Sequence, residues 1–332
     1  MKVAVIGAGR IGALHATALA GVEEVSDLVV ADSEATRASA LADRLGCVAA
    51  DSVEMVWALR PAGVVIASPT TTHPALVHAA LDAGVAVLCE KPLTLSLSES
   101  AEIADRARST GTPVIIGFQR RFDAAFRALR EDLAGGHHGS TYLVRVRHVD
   151  TGPPPPGYLA TSGTMFVDLC IHDYDAIRWI ADCEVESVSS AGSRLLSGDL
   201  EFDRHGDVDT AVSLLHLESG ALAIVEAFRE APSGYEARAE VVASLGVGAT
   251  APELVGDPRN GGCAGAASFI ERFADAFRDE IEAFVAVIAG RLQPMSTADD
   301  ATKALQIALA AERSYQEQRL VRIDELDGPG AR

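Results

Sequence analysis

Positively charged residues are scarce in this chain. Its 332 residues include 28 Lys and Arg against 47 Asp and Glu, which gives a formal net charge of −19 at pH 7. An acidic surface of this size repels phosphate backbones and anionic lipid headgroups. The charge balance therefore argues against nucleic acid and against a membrane surface as partners.

Long apolar runs and paired cysteines are also missing. No window of about 20 uninterrupted apolar residues occurs, so we expect no membrane-spanning helix. The N-terminal sequence MKVAVIGAG lacks the charged segment, apolar stretch and cleavage site of a signal peptide. The cysteines are odd in number and include no CxxC pair, which favours reduced thiols over a disulfide framework. They are Cys47, Cys89, Cys170, Cys183 and Cys263. These absences predict a cytoplasmic protein.

Aromatic residues make up only 5% of the chain, whereas 48% of its residues are hydrophobic and 23% are charged. These fractions are ordinary for a globular protein with an aliphatic core. The length favours two domains. Short aliphatic runs alternate with helical patterns through residues 1–121, and the runs are continuous, as in strands buried on both faces. The expected strands are Lys2–Ile6, Leu28–Ala31, Val64–Ala67, Val85–Leu88 and Val114–Gly117. This alternation predicts an α/β Rossmann domain with a doubly wound parallel sheet.

The pattern changes after residue 121. Strands with alternating apolar and polar residues are expected near Thr141–Val149, Val185–Ser190, Thr210–Leu217, Ala221–Arg229 and Ala237–Ser244. Helical patterns cover Asp168–Ala181, Ser268–Gly290 and Thr297–Arg319. Residues 122–332 are therefore predicted to form an α+β domain on a largely antiparallel open sheet.

A glycine-rich loop joins the first strand to the first helix. Its sequence is Gly7-Ala8-Gly9-Arg10-Ile11-Gly12. The glycines permit a tight turn, close approach of a pyrophosphate to the backbone, and close packing of helix on strand. Asp32 follows the second strand, where a carboxylate binds the adenosine ribose hydroxyls and repels a 2′-phosphate. The loop and Asp32 predict NAD in preference to NADP, a preference that the nearby Arg37 could soften.

Three motifs together resemble one family. They are the glycine loop, Glu90-Lys91-Pro92 after the fourth aliphatic run, and the later Asp168-x-x-x-His172-Asp173. Taken alone, Lys91 fits an exposed loop lysine as well as a functional one. The combination is similar to the glucose–fructose oxidoreductase/inositol dehydrogenase (Gfo/Idh/MocA) family. Within that family, residues 147–179 are most similar to inositol dehydrogenases.

The resemblance implies which residues hold the cofactor and which hold the substrate. Thr70 stands where the family often has Asn. The implied NAD contacts are Gly7, Gly9, Arg10, Ile11, Gly12, Asp32, Arg37, Ser68, Thr70, His73, Glu90, Lys91 and Gln119. The implied substrate contacts are Lys91, Arg120, His148, Asp150, Asp168, His172 and Tyr235.

The expected catalytic residues are Lys91, Asp168 and His172. Asp168 and His172 are four positions apart, so on one helix they share a face. A carboxylate beside an imidazole can fix its tautomer and stabilise its protonated form. Such a histidine can accept the proton of a secondary alcohol while a hydride leaves the same carbon. Without the other motifs, an ion pair of purely structural value explains the spacing equally well. Only two ligands are evident there, so no metal is expected.

The sequence thus predicts NAD-dependent oxidation of a secondary hydroxyl of a cyclic polyol, with inositol as the first candidate. Two alternatives stay open. One is an NAD(P)-dependent sugar dehydrogenase or reductase acting on an aldose or keto-sugar, and the other is an NAD-binding regulator without turnover. The resemblance also implies a homodimer or homotetramer assembled through the C-terminal sheet.

Overall fold

The computed structural model of the protein describes residues 1–155, 157–195, 200–230, 234–250 and 266–326. They divide into two units. The first unit comprises Met1–Phe122 together with Asp275–Thr302, and the second comprises the described parts of Asp123–Ala274 and Lys303–Arg332. The sequence assigned residues 275–302 to the second domain, so the observed division differs there.

The first unit contains a six-stranded parallel sheet. Its strands are β1 (Lys2–Ile6), β2 (Asp27–Ala31), β3 (Val48–Ala49), β4 (Gly63–Ile66), β5 (Ala86–Cys89) and β6 (Val114–Ile116). They lie in the order β3-β2-β1-β4-β5-β6, and every pair is parallel. This strand order is that of a Rossmann sheet. The doubly wound parallel sheet is confirmed.

Helices connect these strands, as the alternating pattern predicts. They are α1 (Arg10–Ala20), α2 (Ala35–Leu45), α3 (Val53–Ala58), α4 (His73–Ala83) and α5 (Leu97–Thr110). The sequence marks their ends: Ser96 caps α5 by accepting the Glu99 N–H, and Gly111 ends it in the left-handed conformation.

A helix from late in the chain completes the core of the first unit. Residues Ile281, Phe284 and Val285 of α12 (Ala274–Ile288) pack in one apolar cluster with Val3 and Val5 of β1. The following segment is also bound, because the Ser296 hydroxyl donates to the Ile116 carbonyl at 2.6 Å. Burial of this apolar face explains why residues 275–302 group with the first unit instead of the second.

The second unit contains a seven-stranded mixed sheet. Its strands are β7 (Thr141–Val149), β8 (Val185–Ser193), β9 (Thr210–Leu217), β10 (Leu222–Phe228), β11 (Glu236–Ala243), β12 (Gly246–Ala249) and β13 (Val321–Arg322). They lie in the order β12-β11-β7-β10-β9-β8-β13. Only β7 and β10 pair in parallel, so the expected largely antiparallel sheet is confirmed.

Helices accompany this sheet. They are α6 (Ala124–Ala134), α7 (Leu159–Ser162), α8 (Met165–Asp168), α9 (Ile171–Ala181), α10 (Leu200–His205), α11 (Phe269–Arg272) and α13 (Ala298–Glu317), which the division between the units crosses. The sheet strands alternate buried and partly exposed residues, and α9 contacts β7. The sheet therefore has a covered face, on which His148 of β7 is buried.

Among the described residues, no helix combines the length and the apolar character that crossing a membrane requires. The same residues contain no group of three or more His, Cys, Asp or Glu arranged to hold a metal ion. The four described cysteines, Cys47, Cys89, Cys170 and Cys183, are free thiols. Cys263 lies outside the described residues.

Candidate active site

The glycine loop has the geometry that a pyrophosphate requires. Gly7 adopts a φ of +103°, and a Cβ on Gly12 would lie 1.7 Å from the Gly7 carbonyl oxygen, so neither position accepts a side chain. A Cβ on Gly9 would meet no atom within 4 Å. Gly9 precedes α1 without a side-chain cap, and Arg10 and Ile11 form its first turn. The first turn of a helix is the place where backbone N–H groups and the helix dipole favour an anion.

Asp32 stands directly after β2 and braces the same loop. Its carboxylate accepts the Ala8 N–H at 2.6 Å and the Glu34 N–H at 2.8 Å. Arg37 lies further along, exposed on α2, and pairs with Glu34 at 2.9 Å. A carboxylate in this place favours ribose hydroxyls and disfavours a 2′-phosphate.

We expect Asp32→Asn to shift the cofactor preference. The amide keeps an oxygen that can accept a loop N–H but removes the charge that repels a 2′-phosphate. The ratio of kcat/KM with NAD to kcat/KM with NADP should fall by about a hundredfold. Steady-state rates with both cofactors measure this ratio, and Asp32→Ala separates the charge from the loop brace. An unchanged ratio in both variants would remove Asp32 from ribose recognition.

The other expected cofactor residues of the first unit also follow strands of its sheet. Ser68 and Thr70 come after β4, Glu90 and Lys91 after β5, and Gln119 after β6. Gln119 is buried, as is Arg120 beside it. All of these residues therefore lie at the carboxyl edge of one sheet, where ligands bind in doubly wound folds.

His73 joins two of these loops. Its Nδ1 lies 2.9 Å from the Pro92 carbonyl oxygen, and its Nε2 lies 2.9 Å from the Ser68 carbonyl oxygen. Burial lowers the pKa of His73, so the ring is neutral and donates to one of the two carbonyls. Because both ring nitrogens face backbone oxygens, we expect His73 to act on the cofactor through these loops and not by direct contact.

Glu90 links Lys91 to a buried histidine. Its Oε1 lies 2.7 Å from His15 Nε2, and its Oε2 accepts the Lys91 N–H at 3.3 Å. The His15 ring makes an edge contact with Phe277 of α12 at 5.8 Å between centroids. Glu90 is thus held by His15 of α1 and by the backbone N–H of Lys91.

Glu280 of α12 is a buried acid that belongs to none of the motifs in the sequence. Its side chain is 0% exposed, and neither carboxyl oxygen finds a hydrogen-bond partner among the described residues. Burial, together with the nearby charge of Glu90, raises the pKa of Glu280 well above its usual range. Glu280 is therefore a neutral carboxylic acid over part of the pH range in which an exposed glutamate is ionised.

This shift predicts a pH-dependent stability difference for Glu280→Gln. A raised folded-state pKa means that the native state retains a proton that the unfolded state releases above about pH 4.3. The wild-type protein thus loses stability relative to the neutral glutamine variant as pH rises, by about 1.4 kcal/mol per pH unit, until the folded-state pKa is reached. The Tm of Glu280→Gln minus that of the wild type should therefore increase as pH rises above about 5. Glu282→Gln, at an exposed position of the same helix, is the control and should show no such increase.

The second unit corrects one premise of the sequence analysis. One helix over Asp168–Ala181 was expected, but Asp168 ends the single turn α8 and His172 is the second residue of α9. Leu169 and Cys170 both donate their N–H to the Met165 carbonyl at 3.0 Å, so the regular hydrogen-bond ladder is interrupted between the two helices. The side chains of Asp168 and His172 are nevertheless both buried.

Asp168 is held from two sides. Its Oδ1 accepts the Tyr158 hydroxyl at 2.9 Å, and its Oδ2 accepts Nη1 of Arg229 at 3.0 Å. Nη2 of Arg229 lies 3.6 Å from Oδ2 of Asp207, whose Oδ1 accepts the Met165 N–H at 2.8 Å. Burial raises the pKa of Asp207, and the charges of Asp168 and Asp207 raise the pKa of Arg229 despite its burial. One guanidinium therefore lies between two buried carboxyl groups.

The other expected substrate residues of the second unit include a buried cluster around His148. His148 Nε2 lies 3.1 Å from the Tyr235 hydroxyl, and His148 Nδ1 lies 3.3 Å from Oδ2 of Asp173. The His148 ring is 6.4 Å from the His172 ring. Asp150 follows β7, and its charge acts on Arg229. The second unit thus brings together buried groups that can donate and accept several hydrogen bonds.

Sequence reasoning missed Arg229, Tyr158 and Asp207. The signal for Arg229 was in the β10 alternation, since Ala223, Val225 and Ala227 are its buried positions and Arg229 continues their phase. A charged residue in a buried phase needs a buried partner of opposite charge.

Known proteins share this architecture. Residues 1–118 match the family model "Oxidoreductase family, NAD-binding Rossmann fold", and residues 126–247 match "GFO/IDH/MocA C-terminal domain". The chain is 34% identical to a myo-inositol 2-dehydrogenase of Thermotoga maritima, over 99% of this chain and 100% of that protein. It is 39% identical to the myo-inositol dehydrogenase Hyg17 of Streptomyces leeuwenhoekii, over 95% and 97%. A scyllo-inositol dehydrogenase of Lactobacillus casei, solved with NAD(H) and scyllo-inositol, superposes with a TM-score of 0.87 at 27% identity, over 98% and 99%.

Proposed function

The chain belongs to the Gfo/Idh/MocA family of NAD-dependent oxidoreductases, and we propose that it oxidises a secondary hydroxyl of an inositol-like cyclic polyol to a ketone. The observation that carries this proposal is the buried cluster of His148, His172 and Tyr235 in the second unit. A polyol must exchange the water around its hydroxyls for protein groups, so its site needs several donors and acceptors close together. Relatives over nearly the whole chain act on myo-inositol, which supports the same substrate class.

The residues of the first unit fit NAD. The uncapped first turn of α1 and the open side of Gly9 suit a pyrophosphate, and Asp32 suits the ribose hydroxyls. When bound, the nicotinamide accepts the hydride from the reacting carbon. The loops that would hold the cofactor lie at the carboxyl edge of the parallel sheet, where doubly wound folds bind their ligands.

Three residues carry the proton chemistry in this proposal. Lys91 orients the reacting hydroxyl and assists the transfer of its proton. His172 is the general base, and the anionic Asp168 stabilises the imidazolium that results. One O–H and one C–H bond break, the C=O bond forms, and the proton and the hydride leave separately. The protein contributes position and electrostatics to this step.

The test is a panel of initial rates followed by NADH absorbance. The panel contains myo-inositol, scyllo-inositol and other inositol isomers, together with glucose, galactose, xylose and 1,5-anhydro sugars, each with NAD and with NADP. Turnover confined to inositols with NAD is the expected result. Turnover with aldoses would show that the proposed substrate class is wrong and would favour a sugar dehydrogenase. If NAD binds but no compound of the panel is oxidised, a regulator without turnover is favoured.

We also propose that the protein is a cytoplasmic homodimer or homotetramer assembled through the uncovered face of the second sheet. That face carries Val212, which is 43% exposed, beside charged pairs such as Arg145 with Glu226 and Glu240. An apolar surface rimmed by complementary charges is suited to a second copy. Light scattering after size exclusion should report an oligomer that Val212→Asp dissociates. Val48→Asp, at an exposed valine of the first unit, is the control, and a monomeric wild type would refute the proposal.

A further inference from the structure

Arg229 is placed to fix the orientation of Asp168. It is 2% exposed, and Asp168 is 4% exposed, so their 3.0 Å contact is shielded from solvent. Oδ2 of Asp207 lies 3.6 Å from Nη2 on the other side of the guanidinium, and Oδ1 of Asp207 accepts the Met165 N–H at the start of α8. A turn of the planar guanidinium would therefore break its hydrogen bond to Asp168 and disturb its ion pair with Asp207. Its positive charge also favours the ionised form of Asp168.

Tyr158 reaches the same carboxylate from a different segment. Its ring is 41% exposed, but its hydroxyl donates to the buried Oδ1 of Asp168 at 2.9 Å. The Tyr158 N–H donates to the Pro155 carbonyl at 3.1 Å, and the Tyr158 carbonyl accepts N–H groups of the α7 turn. Tyr158 thus links the Pro155 backbone to Asp168.

We propose that Arg229 and Tyr158 are positioning residues for the reaction, which hold Asp168 ionised and in one orientation. The proposal rests on the proposed function, in which Asp168 serves His172. A carboxylate has about four acceptor positions. Arg229 and Tyr158 take one on each oxygen, so the directions of the remaining positions are set. The contact of Tyr158 also links the orientation of Asp168 to the backbone at Pro155, whose carbonyl accepts the Tyr158 N–H.

The experiment compares Tyr158→Phe, Arg229→Lys and Asp168→Asn with the wild type. Tyr158→Phe removes one hydroxyl from a residue that is 41% exposed, so it should fold normally and lower kcat about tenfold. Arg229→Lys keeps the charge but loses the planar fork, and it should lower kcat about a hundredfold. NAD affinity, measured by fluorescence titration, should stay unchanged in both. Tyr142→Phe, at an exposed tyrosine of β7, is the matched control and should retain wild-type kinetics.

A pH profile separates positioning from mere structural support. Loss of either donor makes protonation of Asp168 easier, so the acid limb of the kcat/KM profile should move to higher pH. A residue that only stabilises the fold would lower Tm and leave this limb in place. If Arg229→Lys fails to fold, Tyr158→Phe alone tests the proposal. A shift of the acid limb of its kcat/KM profile supports the proposal, and an unchanged limb contradicts it.

The outcomes distinguish this inference from the proposed function. An inactive Asp168→Asn with wild-type kinetics and an unmoved acid limb in Tyr158→Phe and Arg229→Lys would overturn the inference and leave the function standing. An Asp168→Asn variant with full activity would overturn the role of Asp168 and with it this inference, while the proposed oxidation would stand. A wild type that turns over no polyol would overturn the proposed function. A moved limb and reduced kcat in the positioning variants, with Asp168→Asn inactive, supports both.

Discussion

Replacing Lys91 by alanine should lower kcat by about ten-thousandfold while NAD affinity changes little. The ammonium group is expected to hold the reacting oxygen and to share in moving its proton, and positioned acid–base groups contribute up to about 10⁴ in rate. The side chain follows β5, and Glu90 and its contact with His15 hold the backbone at this point. The truncation therefore removes the amine without removing the loop.

Stopped-flow single turnovers and NAD titration measure these two quantities separately. Lys91→Arg distinguishes the two roles of the side chain, since arginine keeps a donor for the oxygen but does not give up a proton near neutral pH. Small primary amines in solution should partly restore the alanine variant. Lys303→Ala, which removes a surface lysine paired with Glu184, is the control for loss of a positive charge. Loss of NAD binding with kcat retained would disprove this role for Lys91.

Replacing His172 by alanine should lower kcat by about a thousandfold, because the proposed general base is lost. The effect should be largest at neutral pH and smaller in alkaline solution, where hydroxide can take the proton. NAD affinity should again be close to that of the wild type, since His172 belongs to the second unit and the glycine loop to the first.

Added imidazole should restore part of the lost rate in His172→Ala. His137→Ala, which removes a histidine whose side chain is 72% exposed, is the matched control and should keep the wild-type rate. A His172→Ala variant with a normal kcat and only a raised KM would assign His172 to substrate binding. In that case the general base would have to be sought elsewhere in the His148 cluster.

The first unit could be predicted closely because its signals are local. Each strand of the parallel sheet is a short aliphatic run, and the glycine loop and Asp32 stand at fixed positions relative to two of them. The place of α12 could not be predicted in this way. Its amphipathic pattern says that one face is buried, but not which sheet covers that face, since many distant residues decide this. The burial of Glu280 could not be predicted for the same reason.

The candidate site shows the same limit. The expected residues after β1, β2, β4, β5 and β6 all lie at one sheet edge, because that edge follows from the fold class alone. The relation between Asp168 and His172 was derived from helical spacing, and the interruption at Leu169 and Cys170 removes that derivation. The partners of Asp168 are Arg229, directly after β10, and Tyr158, directly before α7, and no spacing rule connects such distant positions. The catalytic roles themselves stay predictions.

The split composition of the first unit has a consequence for biosynthesis. The strands of its sheet are translated first, but α12, whose apolar side chains share a buried cluster with those of β1, leaves the ribosome only after residue 288 has been added. At usual translation speeds this delay is about ten to thirty seconds. During that interval the apolar side chains that will meet Ile281, Phe284 and Val285 have no permanent cover. The nascent chain therefore exposes a binding surface for chaperones until the polypeptide that forms the second unit has emerged.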